Sequence, residues 1–284
     1  VRGQVTTIHS FWNADHSLIE SEVTIAVTYH MLGTPHRTIT IRTAGGFLAA
    51  EGIGMVSMHE ANWAVGEEIL AFVYRQGEEW RMVGGATGKF LVEQSTVFNP
   101  DLALAQPLAG LLPTVVTLVE QRGQQAQVPT IWRHLAGATA ETLPAPVAAA
   151  VAPNDKRKWA TPHAAAPFTI NLNSTQIGDE DGSHADFRQA IIAAATSWSQ
   201  VPNADFALTY AGESQATHTS YNGVNEVLFM HKGQQERAAA AQVWFTAEGK
   251  IIEADIWIND DYGWNATGTP GTDEVDLQSA LLHE

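Results

Sequence analysis

Two adjacent residues, His283 and Glu284, are of the types that hold and use a metal ion in hydrolytic enzymes. An imidazole is a common zinc ligand, and a carboxylate beside it can take a proton from water. The dipeptide has little weight by itself, since about one is expected by chance in a chain of this composition. A second copy, His59-Glu60, lacks the further His of a His-Glu-x-x-His motif, and we assign His59 no role.

The residues before this pair predict the helix that would position them. Asp273, Glu274 and Asp276 precede it, and acidic side chains are favoured at a helix N-terminus. The apolar face of the predicted helix consists of Leu277, Ala280 and Leu281. Zinc peptidases place two His at i and i+4 on one helix face, with a Glu next to the first. Taken alone, residues 276–284 favour an ordinary solvated helix end over a metal site.

The chain from residue 161 to residue 284 predicts a mixture of strands and helices. A Ser183-x-x-Asp186 capping box opens a predicted helix that ends before Pro202. Its apolar face repeats at helical spacing through Phe187, Ile191, Ala194 and Trp198. The predicted strands are 168–172, 206–210, 226–230, 242–246 and 252–258, the last of which alternates apolar and polar residues. We interpret His218 and His231 as surface or loop residues.

In order and spacing, these segments together resemble the matrixin branch of the metzincin zinc endopeptidases, in a form seen in bacterial proteins. The matching segments are 159–162, 167–171, 185–198, 225–229, 242–245, 252–259 and 276–284. The resemblance implies an α+β catalytic domain in which His283 is the first zinc ligand and Glu284 the general base. It also implies a protein or peptide substrate that pairs as a strand with the cleft edge, within residues 242–246.

The family motif is His-Glu-x-x-His-x-x-Gly-x-x-His, of which the printed sequence contains the first two residues. The remaining zinc ligands are therefore expected about three and nine residues beyond Glu284. We interpret the chain as a fragment of a longer protein, which by itself is expected to lack peptidase activity. By the same resemblance, the protein is expected outside the cell or in the cell envelope.

Two features depart from the animal members of that family. Trp257 stands where those proteins have a His that binds a structural zinc ion. The chain has no Cys, which excludes a cysteine-switch propeptide, so any latency must arise in another way. Calcium is possible at Asp255 or at the acidic loop 179–182, but an ordinary strand residue and a solvated loop are the favoured interpretations.

Composition limits the remaining possibilities. The 284 residues suggest about two domains. A net charge of −16 argues against a nucleic-acid surface. The absence of Cys excludes disulfides and zinc–thiolate sites. No apolar run reaches the roughly 18 residues that a membrane span needs.

Three domains are predicted. Residues 1–95 read as short strands punctuated by Gly and predict an all-β module, a small barrel or sandwich of unknown role. Residues 96–160 form a Pro/Ala-rich connector with one short helix between Pro113 and Gly123, and residues 161–284 form the front part of the catalytic domain. The alternative is a non-catalytic binding or targeting protein, in which the β module is functional and the protease-like half is degenerate.

Overall fold

The computed structural model describes residues 1–31, 34–99, 102–121, 157–159, 165–172, 182–202, 206–233 and 237–284. The Ala/Pro-rich segment 136–153 and the acidic residues 179–181 lie outside this part of the chain. Contacts divide the protein into two units. The first consists of Val1–Phe11, Glu20–Ala44 and His59–Asp155, and the second of Trp12–Ile19, Gly45–Met58 and Lys156–Glu284. The segment Gly45–Met58 thus clusters with the C-terminal unit, whereas the sequence assigned it to the module 1–95.

The described residues of the first unit form nine strands and one α-helix. The strands of this unit are β1 (Arg2–Trp12), β2 (Ile19–Tyr29), β3 (Thr38–Ala44), β6 (Glu68–Ala71), β7 (Val73–Gln76), β8 (Glu79–Met82), β9 (Lys89–Glu93), β10 (Thr96–Asn99) and β11 (Leu104–Pro107), numbered along the whole chain. They form one sheet in the order β11-β10-β9-β6-β1-β2-β3-β8-β7. Only Phe72 separates β6, in the middle of this order, from β7 at its end. The sheet therefore folds back on itself.

Successive residues of β6 contribute to two apolar clusters of the first unit. Ile69 packs with Val23, Ile25, Ile39 and Ile41. Leu70, its neighbour, belongs to a second cluster with residues of β9, β10 and α1 (Leu108–Gln121). Alternate residues of a strand point to opposite faces, so α1 covers the face that β6 turns away from the first cluster. The helix predicted between Pro113 and Gly123 corresponds to α1, which begins earlier, at Leu108.

Ten strands and two helices are described in the second unit. Its elements are β4 (Gly46–Leu48), β5 (Ile53–Ser57), β12 (Lys158–Trp159), β13 (Ala165–Asn171), α2 (His184–Ser199), β14 (Ala207–Glu213), β15 (Asn225–Met230), β16 (Ala239–Thr246), β17 (Lys250–Asn259), β18 (Gly263–Asn265), β19 (Glu274–Asp276) and α3 (Leu277–His283). The main sheet has the order β14-β13-β15-β17-β16-β5-β4. Strands β14, β13, β15 and β17 run parallel, and β16 runs antiparallel to β17.

Both helices contribute to the apolar core on one face of this sheet. Phe187 and Ile191 of α2 and Leu277 and Leu281 of α3 are buried there, together with Ile258 of β17. The predicted capping box is confirmed, since Ser183 accepts the amide of Asp186 and the Asp186 side chain accepts the amide of Ser183. No described helix combines the length and apolarity that crossing a bilayer requires.

Candidate active site

Helix α3 positions the two residues that the sequence singled out. Its N-cap is Asp276, whose carboxylate accepts the amide of Ser279 at 2.7 Å. With Leu277 and Leu281 anchored in the core, the short helix places His283 in its last turn, exposed to solvent. Glu284 follows directly as the C-cap residue and is half-buried.

The Glu284 carboxylate is held against the sheet. Its Oε2 accepts the backbone N–H of Ala241 in β16 at 3.0 Å. Burial raises the pKa of Glu284, whereas the Ala241 N–H and the charges of His283 and Arg237 act in the opposite direction. A general base works best with a pKa near the working pH, and burial shifts the pKa of Glu284 in that direction. No sequence pattern indicates Ala241, because it contributes only a backbone amide.

Glu284 also lines an open apolar cavity of about 320 Å³ in the second unit. Trp159, Trp198, Phe206 and Ile256 are among its other lining residues. Trp198 was expected in the core with Phe187 and Ile191, but it is 47% exposed and its indole N–H donates to the carbonyl of Leu282. Apolar walls on one side of Glu284 account for the desolvation that raises its pKa.

His283 and Glu284 are chemically suited to zinc. Zinc takes imidazole nitrogen and carboxylate oxygen in tetrahedral sites, and His283 and Glu284 offer one of each. His283 suits the role of a single ligand because it is exposed, and Glu284 suits that of a base because one of its oxygens is already held by Ala241. Zinc and calcium both remain predictions.

A separate group of possible metal ligands in the second unit comprises His231, Asp260 and Asp261. His231 Nδ1 lies 3.1 Å from Asp261 Oδ1, and the imidazole is 73% exposed, as expected for a surface residue. Asp261 Oδ2 accepts the amides of Lys232 and Gly233. Such donors already neutralise part of the carboxylate charge, so a contact between side chains on a loop accounts for the arrangement without a metal ion.

The opposite face of the main sheet holds three buried carboxylates. Glu226, Glu253 and Asp255 are 4%, 0% and 0% exposed. Asp255 accepts the amides of Ser220 and Glu226, and Glu253 accepts those of Asn222 and Gly223. Backbone amides therefore replace the water that Glu253 and Asp255 lose, whereas Glu226 accepts from the side chains of Ser214 and Asn222. The sequence favoured Asp255 as a strand residue in polar surroundings, and its partners are indeed polar although it is fully buried.

Burial dominates the protonation of this cluster. Loss of solvent raises the pKa of Glu253 to about 7 and, together with the charge of Glu253, raises the pKa of Asp255 to about 8. The hydrogen bonds from backbone amides oppose this rise. Three stacked aromatic rings, Trp12, Tyr221 and Trp244, lie in the same unit, with successive centroids 6.4 Å apart. Trp244 stands opposite Glu253 in the β16–β17 pair, so this stack helps to keep the cluster dry.

The expected open edge of the cleft is not open. The sequence predicted that residues 242–246 would offer a free strand edge to a substrate. Instead β5 pairs antiparallel along that stretch, from Gln242 opposite Ser57 to Thr246 opposite Ile53. The sequence missed β5 because Gly52 and Gly54 indicate a loop, and glycine is uncommon inside strands.

Comparisons with known proteins identify no relative. No protein-family model matches the chain, and no curated protein or solved structure gives a significant match.

Proposed function

We propose that the second unit belongs to a zinc-dependent endopeptidase, with His283 as a metal ligand and Glu284 as the general base. The observation that carries this proposal is the hydrogen bond from Ala241 to Glu284, which joins the end of α3 to β16. It places a carboxylate of raised pKa beside the strand to which an extended peptide would pair. The resemblance to matrixins, and with it a location outside the cell or in its envelope, is part of the same proposal.

The residues would divide the chemistry between them. A zinc ion, when bound, supplies Lewis-acid polarisation of the peptide carbonyl. His283 contributes an imidazole nitrogen to hold it. Glu284 takes a proton from the attacking water and delivers it to the leaving amine, so that one water is consumed for each peptide bond broken. The Ala241 amide keeps the carboxylate aimed during both transfers.

The test is zinc-dependent cleavage of a quenched fluorescent peptide by the product of the whole open reading frame that encodes this sequence. Glu284→Gln keeps the size and the hydrogen bond from Ala241 but removes the base, so we expect kcat/KM to fall roughly 10²–10⁴-fold. His283→Ala is expected to lower the zinc content measured by mass spectrometry.

The matched control is Glu248→Gln, which makes the same chemical change at an exposed turn. It should leave cleavage unchanged. Full activity in the Glu284→Gln protein would show that Glu284 is not the general base. Absence of zinc-dependent cleavage by the unmodified protein would contradict the peptidase function and favour a non-catalytic binding role.

A further inference from the structure

The occupant of the β16 edge is a two-stranded hairpin formed by β4 and β5. Gly46 to Leu48 pair antiparallel with Met55 to Ile53, and β5 in turn pairs with β16. The hairpin follows Ala44, the last residue of β3. The chain is assigned to the first unit again from His59 onward. A segment from the N-terminal part of the sequence therefore adds two strands to the sheet whose strand β16 holds Glu284.

The residue directly after β5, Met58, contacts Ala241, whose amide holds the proposed base. The amide of Met58 donates to the carbonyl of Ala241 at 2.8 Å, and the amide of Ala241 donates to Glu284. At the other end, the amide of Ala247 donates to the carbonyl of Gly52 at 3.1 Å. The segment from Gly52 to Met58 thus lies along β16 as an extended peptide would lie.

Side-chain packing adds a size requirement to this pairing. A Cβ at Gly54 would lie 2.4 Å from the Phe245 ring and 2.9 Å from the Phe47 ring. The two rings stack with centroids 6.5 Å apart. The φ angle of Gly54 is not in the left-handed region, so space, and not backbone conformation, selects glycine here. A peptide strand at this edge needs a very small residue four positions before the one that pairs with Ala241.

We propose that β5 is an internal substrate mimic that blocks the edge of β16, and that this edge binds extended peptides with glycine opposite Phe245. The inference rests on the proposed function, since it assigns the blocked edge to the peptidase cleft. Latency then comes from strand pairing and requires no Cys. Peptide substrates gain access when β5 leaves the edge.

Hydrogen exchange on the unmodified chain gives the first test. Donors alternate along an antiparallel strand, so the amides of Val243 and Phe245 face β5. We expect both to be protected to about the same degree as Gln242 and Trp244, which face β17. Rapid exchange at Val243 and Phe245 alone would overturn the proposal without any variant having to fold.

Peptide binding gives the second test. The probe is a fluorescein-labelled peptide with the sequence of residues 52–58, followed by fluorescence polarisation. By the same alternation the amide of Val56 points toward β16, and proline at this position removes that donor. Val56→Pro should therefore free the edge of β16. We expect this variant protein to bind the probe at least about tenfold more tightly than the unmodified chain does. Ser57→Pro is the matched control, because that amide faces away from β16, and it should bind like the unmodified chain.

A second probe with the change Gly54→Val should not bind the Val56→Pro protein. The inference would be refuted if the Val56→Pro protein bound both probes equally well. It would also be refuted if the Val56→Pro and Ser57→Pro proteins, each with a native circular dichroism spectrum, bound the first probe equally well. Neither readout depends on hydrolysis. A protected edge in a protein that never cleaves peptides would therefore refute the peptidase function and leave the blocked edge standing.

Discussion

The two faces of the main sheet in the second unit are both buried, but they are buried by different means. On the helix side, apolar residues such as Ile170 and Ile258 pack against α2 and α3. On the other side, Glu226, Glu253 and Asp255 are just as inaccessible. Backbone amides of residues 220–226 satisfy Glu253 and Asp255, and the side chains of Ser214 and Asn222 donate to Glu226. The comparison shows that an alternating strand such as β17 specifies which residues share a face and does not specify whether the polar face meets water.

The largest expected effect comes from breaking the apolar face. Ile258 is fully buried in the core, so Ile258→Ala should lower the free energy of unfolding by about 2–5 kcal/mol. Urea denaturation followed by fluorescence measures this change. Val224→Ala, at a residue that is 41% exposed, is the control and should cost less than about 0.5 kcal/mol. A similar loss for both variants would mean that the helix face is not the main apolar core.

The polar face should appear in the pH dependence of stability. Glu253 and Asp255 have pKa values raised to about 7 and about 8 in the folded protein, above those of the unfolded chain. The folded state therefore binds more protons between about pH 4 and pH 8. Stability should therefore fall as pH rises through this window.

The pH effect can be separated from other titrations. Acids with lowered pKa values, such as Asp186, change stability only at more acidic pH. Burial lowers the pKa of the Val1 amine to about 6, so this group acts in the opposite direction between about pH 6 and pH 8 and has to be separated by a variant. The double variant Glu253→Gln with Asp255→Asn should flatten the dependence between pH 5 and pH 8, and Glu248→Gln should leave it as it is. Thermal melts across this range provide the measurement. If the double variant has the same pH dependence as the unmodified chain, these carboxylates are not protonated in the folded state.

Local signals in the sequence were enough to predict the elements but not their partners. The capping box at Ser183 and the acidic N-terminus at Asp276 predicted α2 and α3, because capping depends on residues three positions apart. Alternation predicted β17. The position of β5 depends instead on Phe245, almost two hundred residues away along the chain, and on space that only glycine leaves.

The same distinction applies to the candidate site. His283 and Glu284 were identified from neighbouring residue types, and the structure places both at the end of a helix as predicted. The amide of Ala241 and the ring of Tyr221 could not have been identified, since a backbone N–H has no sequence signature and stacking depends on tertiary contacts. Sequence thus predicts which groups could do chemistry, whereas the sheet determines what surrounds them.

The smallest expected effect tests whether every polar residue of the buried polar face is needed. Gln242 is 3% exposed, stands opposite Asp255, and its Oε1 accepts no hydrogen bond from the described residues. Burying an amide oxygen without a donor costs free energy, and replacing it with an apolar group of similar shape removes that cost. Gln242→Met should therefore change the free energy of unfolding at pH 5 by between zero and about 1 kcal/mol in the stabilising direction. Asp255→Ala is the contrast, because it leaves the amides of Ser220 and Glu226 without acceptors and should destabilise by about 1–3 kcal/mol. If Gln242→Met is the more damaging of the two, Gln242 supports the carboxylates directly, in addition to the side chains of Ser214 and Asn222 that donate to Glu226.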